Sequence, residues 1–332
     1  MSGRALRIGV GAAGLGGLAL LVVIVTSFDL NRLGDLLLTI GWGIAAVTAV
    51  HLLSLAISAL AWHTVANQVW RGSWLIFVWA RLTREAVSSI LPVAHVGGDI
   101  VGARILTFHG ATATQASASL LVDLTLEFLT QIAFTAIGLG CLLQVGSAKT
   151  MRWSLVALAV ALPAAAALVL AQRWGLARLF ERGLERLAER FGLPALGSLA
   201  NLHETILAIY RQRPAIAAAS CWHLAGWGLG AVEVWLTLRF LGAHTGLIPA
   251  LIIESLGQAV RAAAFVVPGA LGVQKAGFLL LGTIFGLAPE TGLSIPLVRR
   301  IRELALGLPA ILIWQVVEGR RLLHATGERR RP

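Results

Sequence analysis

Five apolar runs, residues 8–25, 40–60, 116–145, 153–170 and 215–241, each approach or exceed the roughly 20 residues that a helix needs to cross a hydrocarbon core. Residues 301–317 supply a sixth. Lipid offers no water to an exposed peptide group, so runs of this length fold as helices whose backbone bonds are all internal. The expectation is an all-α polytopic integral membrane protein with about six full transmembrane helices, forming a single membrane domain over residues 1–332.

Composition agrees with that reading. The chain is 57% hydrophobic and only 13% charged, against about a quarter charged residues in an ordinary soluble domain. A net charge of +11 would suit a nucleic-acid binder only if Lys and Arg were clustered on solvated elements among aromatics. Here they separate apolar runs, so no nucleic-acid partner is expected. Cys141 and Cys221 lie within apolar stretches and read as small buried hydrophobes rather than a disulfide or metal pair. Arg4 and Arg7 precede the first run as in a signal peptide. That run is long enough to span, however, and no small-x-small cleavage pattern precedes Asp29, so a retained first helix is expected.

Basic residues also orient the chain. One side of the membrane collects Arg4, Arg7, Arg71, the arginines at 173, 178, 182, 186 and 190, Arg211, Arg213, and those at 320, 321 and 329–331; the other has Arg32, Lys149, Arg152, Arg299 and Arg300. The richer side is cytoplasmic by the positive-inside rule, which places both termini in the cytoplasm of a bacterial inner membrane. Residues 175–191 alternate Leu and Phe with Arg and Glu, as an amphipathic helix would. It either lies at the membrane interface or serves as a solvated linker.

Two apolar regions, 74–106 and 247–286, are broken by Pro and Gly and carry charge. In the first, Glu85 stands seven residues before Pro92, and Gly97, Gly98 and Asp99 follow; in the second, Arg261 stands seven before Pro268, and Gly272, Gln274 and Lys275 follow. This weak internal repeat predicts two re-entrant hairpin regions. Topological parity requires the first to enter and leave on the cytoplasmic side. Paired interrupted segments in two halves of a membrane chain point to a transporter-type site, because non-helical backbone at membrane depth survives only inside protein or beside a cavity.

An ionisable group inside a membrane costs a few kcal/mol and usually faces a partner or a wet cavity. The candidates are Arg84, Glu85, Asp99, Arg104, Asp123, Glu127, Glu233, Glu254, Gln258, Arg261, Lys275, Arg302 and Glu303. Asp123 and Glu127 share one helical face, where two unpaired carboxylates repel, so they need cations. Arg84, Arg104, Arg261 and Arg302 are the suppliers, and guanidinium also grips carboxylate or phosphate in a bidentate fork. The substrate-binding set is therefore drawn as Arg84, Glu85, Asp99, Arg104, Asp123, Glu127, Glu254, Gln258, Arg261, Lys275 and Arg302, lining one polar cavity between the hairpins. Either these groups hold an anionic headgroup, or they are internal ion pairs that staple helices.

Other motifs carry less. His95 and His109 border the first hairpin and read as incidental. A metal at Asp123 and Glu127 lacks a matching carboxylate or Glu-x-x-His pair elsewhere, and no cofactor is expected. Gly9, Gly11 and Gly14 spell GxGxxG inside an apolar run with no preceding strand, which suits helix packing rather than a dinucleotide. Gly98 and Gly102, spaced small-xxx-small, fit the same packing role. The sequence holds no P-loop, Gly-x-Ser-x-Gly elbow or His-Glu-x-x-His motif, so the chain is not expected to be an enzyme or an ATP-driven pump.

Leu91-Pro92 through Gly97-Gly98-Asp99 to Arg104, with Pro268-Gly-Ala-Leu-Gly272-Val-Gln-Lys275, resembles the lysylphosphatidylglycerol synthase transmembrane, or flippase-like, family. Within it the chain is most similar to the hopanoid-biosynthesis-associated HpnL group, over about residues 36–317. The resemblance implies two re-entrant hairpins around a lipid-accessible cavity, and a role in moving or presenting a hopanoid or anionic phospholipid between leaflets. An intramembrane lipid-modifying transferase, or a non-catalytic partner of other hopanoid-pathway membrane proteins, is the alternative. Larger members carry a soluble aminoacyl-transferase domain, and this chain is expected to work without one. Two positions depart from the family pattern. Asp99 is followed three residues later by Gly102, with the Arg delayed to 104, and Lys275 stands where an acidic residue is common.

Overall fold

The computed structural model describes residues 30–90, 94–145, 201–264 and 271–328. These residues form ten helices and no strand: α1 (Leu30–Ile40), α2 (Gly43–Ala66), α3 (Trp74–Ile90), α4 (Ala94–Phe108), α5 (Ala113–Val145), α6 (Leu202–Arg211), α7 (Arg213–Phe240), α8 (Leu247–Ala264), α9 (Leu271–Ile284) and α10 (Pro289–Glu328). The expected spans at 8–25 and 153–170 and the amphipathic stretch 175–191 lie outside the described residues.

Local chemistry sets the boundaries. Helix α3 stops at Ile90, two residues before Pro92, and α8 stops at Ala264, four before Pro268. Proline has no N–H to donate and clashes with the preceding turn, so each apolar region divides into two helices. At the start of α5, the Thr112 amide donates to Gln115 Oε1 at 2.9 Å and the Gln115 amide to Thr112 Oγ1 at 3.1 Å, a reciprocal cap. Gly110, at φ +100°, turns the chain out of α4, and the Ala111 amide closes the end on the Leu106 carbonyl at 3.3 Å.

Helices α2, α5 and α7 are long and apolar enough to cross a membrane, and they match three of the expected spans. The expected sixth span, residues 301–317, falls within a longer helix. These residues lie in the middle of α10, a 40-residue helix in which a charge-free run separates Glu303 from Glu318. The two broken regions appear as helix pairs in mutual contact, α3 with α4 and α8 with α9.

Helix α2 packs chiefly on α7, and α5 lies against both α7 and α8. Trp62, Phe77, Ile105 and Leu106 form the apolar core that joins α2, α3 and α4, while Leu238, Ile252, Ile253, Phe278 and Ile295 join α7, α8, α9 and α10. Gly226 and Gly230 of α7, four residues apart, permit close approach: an added Cβ would lie 2.9 Å from Ser58 Oγ at the first and 2.9 Å from Glu254 Oε1 at the second.

Polarity runs opposite to that of a water-soluble bundle. Leu38 and Trp42 are 84% and 92% exposed, and Leu53, Leu75, Ile100 and Ile248 also face outward, whereas Asp123, Glu254 and Arg302 are buried. An apolar exterior over a charged interior is stable where lipid covers the outside.

Candidate functional site: a charged cavity between the broken helices

The 3.6-residue period turns ordinary helices into a charged wall. On α3 it aligns Arg81, Arg84, Glu85 and Ser88; on α5, Asp123, Glu127 and Gln131; on α8, Glu254, Gln258 and Arg261. Helix α10 adds Arg299, Arg302 and Glu303, α4 adds Asp99, α7 adds His223 and Glu233, and α2 adds His51. All of these except Asp123 line one cavity of about 550 Å³.

Two clusters of ion pairs build the walls. In the first, Arg81 Nη1 donates to Asp123 Oδ2 at 3.2 Å and Arg81 Nη2 pairs with Glu127 Oε1. Arg84 Nε donates to Asp99 Oδ1 at 2.6 Å and Arg84 Nη2 to Glu127 Oε2 at 3.2 Å. Asp123 sits behind the cavity wall, fully enclosed, and its other oxygen contacts His223 Nε2 at 3.0 Å. In the second cluster, Arg302 pairs with Glu233 and Arg299 with Glu254, while Gln258 Nε2 donates to Glu254 Oε1 at 2.8 Å. The clusters meet at His51, whose Nε2 lies 3.0 Å from Glu85 and whose Nδ1 lies 3.5 Å from Glu233.

Of the residues drawn from sequence, Arg84, Glu85, Asp99, Glu127, Glu254, Gln258, Arg261 and Arg302 meet at this cavity. Arg104 does not. It is half exposed at the end of α4, where its Nε donates to Glu318 Oε1 at 2.9 Å and its guanidinium lies over the Phe108 ring. Lys275 lies on α9 with its side chain outside the described residues.

Arg81, Arg299, His51 and His223 were absent from that set, and Glu233 and Glu303 had been named only as ionisable. Arg81 and Arg299 were signalled by spacing, each three residues before an arginine already chosen. The histidines carried no comparable signal, since a single His in an apolar run is as readily packing as chemistry.

Among the described residues, the cavity has one loose cation. Arg81, Arg84, Arg299 and Arg302 each face a carboxylate, but Arg261 has no ion-pair partner among the described residues. A guanidinium without a partner carboxylate is free to take a phosphate or carboxylate from a ligand.

Residues 5–310 match the family model described as the lysylphosphatidylglycerol synthase TM region. No curated protein and no solved structure matches the chain.

Proposed function

Because the chain belongs to the lysylphosphatidylglycerol synthase TM-region family, a membrane family tied to lipid, we propose that it moves or presents a lipid across the bacterial inner membrane. The polar headgroup occupies the charged cavity while the tails stay in hydrocarbon, so the headgroup crosses without losing all of its polar partners. The two broken helix pairs act as re-entrant hairpins flanking the path, and the arginine-rich side, with both termini, faces the cytoplasm. A hopanoid or an anionic phospholipid is the cargo we favour.

One observation carries this reading: a cavity of about 550 Å³ holds an arginine with no carboxylate partner among the described residues, inside a bundle that turns large apolar side chains outward. The paired arginines then act as walls and Arg261 as the headgroup contact. We read the chain as a transporter rather than a transferase because all four oxygens of Asp123 and Glu127, the best-placed general bases, are already engaged by Arg81, Arg84 and His223.

Mass spectrometry of lipids that co-purify with the detergent-extracted protein tests the assignment. Selective enrichment of a hopanoid or an anionic lipid in the wild type, lost in Arg261→Ala, is the expected result. The same bulk-membrane lipids in both proteins would overturn it, and a chemically altered lipid would favour the transferase.

A further inference from the structure

His51 is the point where the two charge clusters touch. It projects from α2 between Glu85 of α3 and Glu233 of α7, with Nε2 3.0 Å from the first carboxylate and Nδ1 3.5 Å from the second. An ionised carboxylate accepts hydrogen bonds and donates none, so both contacts are favourable together only when both ring nitrogens carry hydrogen. The neutral ring keeps one N–H and turns a lone pair toward the other carboxylate.

The surrounding charges are named by the packing. Glu85 shares its face of α3 with Arg81 and Arg84, which are held by Asp99 of α4 and by Asp123 and Glu127 of α5. Glu233 is held by Arg302 of α10. Glu303, also on α10, lines the same recess as His51 and Glu85 and pairs with Arg300. His223 of α7 is enclosed against Asp123. Glu85 is the most open of these carboxylates to the cavity, with its side chain 38% exposed, and among the described residues it has no ion-pair partner besides His51.

From this geometry we propose that His51, Glu85 and Glu233 form a proton-binding site whose loading state sets whether the first broken helix pair is locked to α7 and α10. The protonated ring clasps α3 to the Glu233–Arg302 pair. Loss of the proton to cavity water breaks one contact and leaves a lone pair facing a carboxylate, which pushes α3 away. Proton exchange at His51 thus drives the hairpin movement that carries a headgroup past Arg261. This last step rests on the transport reading above; the proton site itself does not.

Two measurements separate them. In ¹⁵N-histidine spectra of the full chain in detergent, with the His51 signals identified by their loss in His51→Gln, both nitrogens should carry hydrogen at neutral pH. Glu85→Gln and Glu233→Gln should each convert the ring to a neutral tautomer. A neutral His51 in the wild type overturns the proton site, whatever the lipid data show.

The second measurement follows movement of a fluorescent phosphatidylglycerol between leaflets of phosphatidylethanolamine–phosphatidylglycerol vesicles containing the protein. The wild-type rate should change by up to about tenfold per pH unit where one group titrates, and His51→Gln should flatten that profile. A profile unchanged in the variant overturns the coupling. If no probe moves in any vesicle while His51 shows both hydrogens, the transport reading falls, and the coupled step with it, while the proton site stands.

Discussion

Gly98 brings α4 so close to α3 that a β-carbon at this position would overlap the carbonyl oxygen of Arg84. The neighbouring Asp99 thereby reaches Arg84 Nε at 2.6 Å. Gly98→Ala should part the helices and destabilise the protein by about 1–3 kcal/mol, the usual effect of overpacking. Gly140→Ala meets open space and should not destabilise it. Thermal unfolding in detergent distinguishes the two, and equal midpoints would mean that the α3–α4 contact is loose.

Asp123 is enclosed between Arg81 and His223, with no exposed surface. Removing one partner of a buried ion pair leaves an uncompensated charge and typically costs about 3–5 kcal/mol. Asp123→Ala should therefore lose folded protein on size exclusion in detergent. Asp123→Leu combined with Arg81→Leu should recover more than half of that loss, and a double variant no better than the single one would refute the pairing.

Arg261 and Arg299 both line the cavity, and the structure assigns them opposite phenotypes. Arg299→Ala strands Glu254 in the interior and should lower the unfolding midpoint clearly. Arg261→Ala strands no carboxylate among the described residues and should leave the midpoint within a few degrees of wild type while reducing bound lipid. If unfolding follows the opposite order, the division between wall and headgroup contact is wrong.

Arg104 pairs with Glu318 at a half-exposed position, where such pairs contribute at most about 1 kcal/mol. Arg104→Ala should preserve both the fold and the lipid bound by the cavity. A loss of bound lipid comparable to that of Arg261→Ala would return Arg104 to the site.

Residues that work through local chemistry were readable from the chain. The spans corresponding to α2, α5 and α7 follow from apolar length, and the breaks after Ile90 and Ala264 follow from Pro92 and Pro268. The need of Asp123 and Glu127 for cations follows from their four-residue spacing. Which cation answers is a tertiary matter: Arg81, a turn before Arg84, is the closest arginine to both, and Arg104 turns outward. His51 was hidden for the same reason. Its meaning comes from Glu85 and Glu233, which only the packing of α2 against α3 and α7 brings to either side of the ring.

The ion pairs also constrain how the protein is made. Arg81 is synthesised 42 residues before Asp123, Glu254 is 45 residues ahead of Arg299, and Glu233 is 69 ahead of Arg302. Each of these charges must therefore wait for its partner in the ion pair until a later helix emerges. A helix released singly into lipid would carry that charge with it, so the nascent segments have to be kept together beside the ribosome until α10 arrives. Membrane insertion of this chain is accordingly a collective event, and a nascent chain stalled between residues 264 and 299 should still be associated with the insertion machinery.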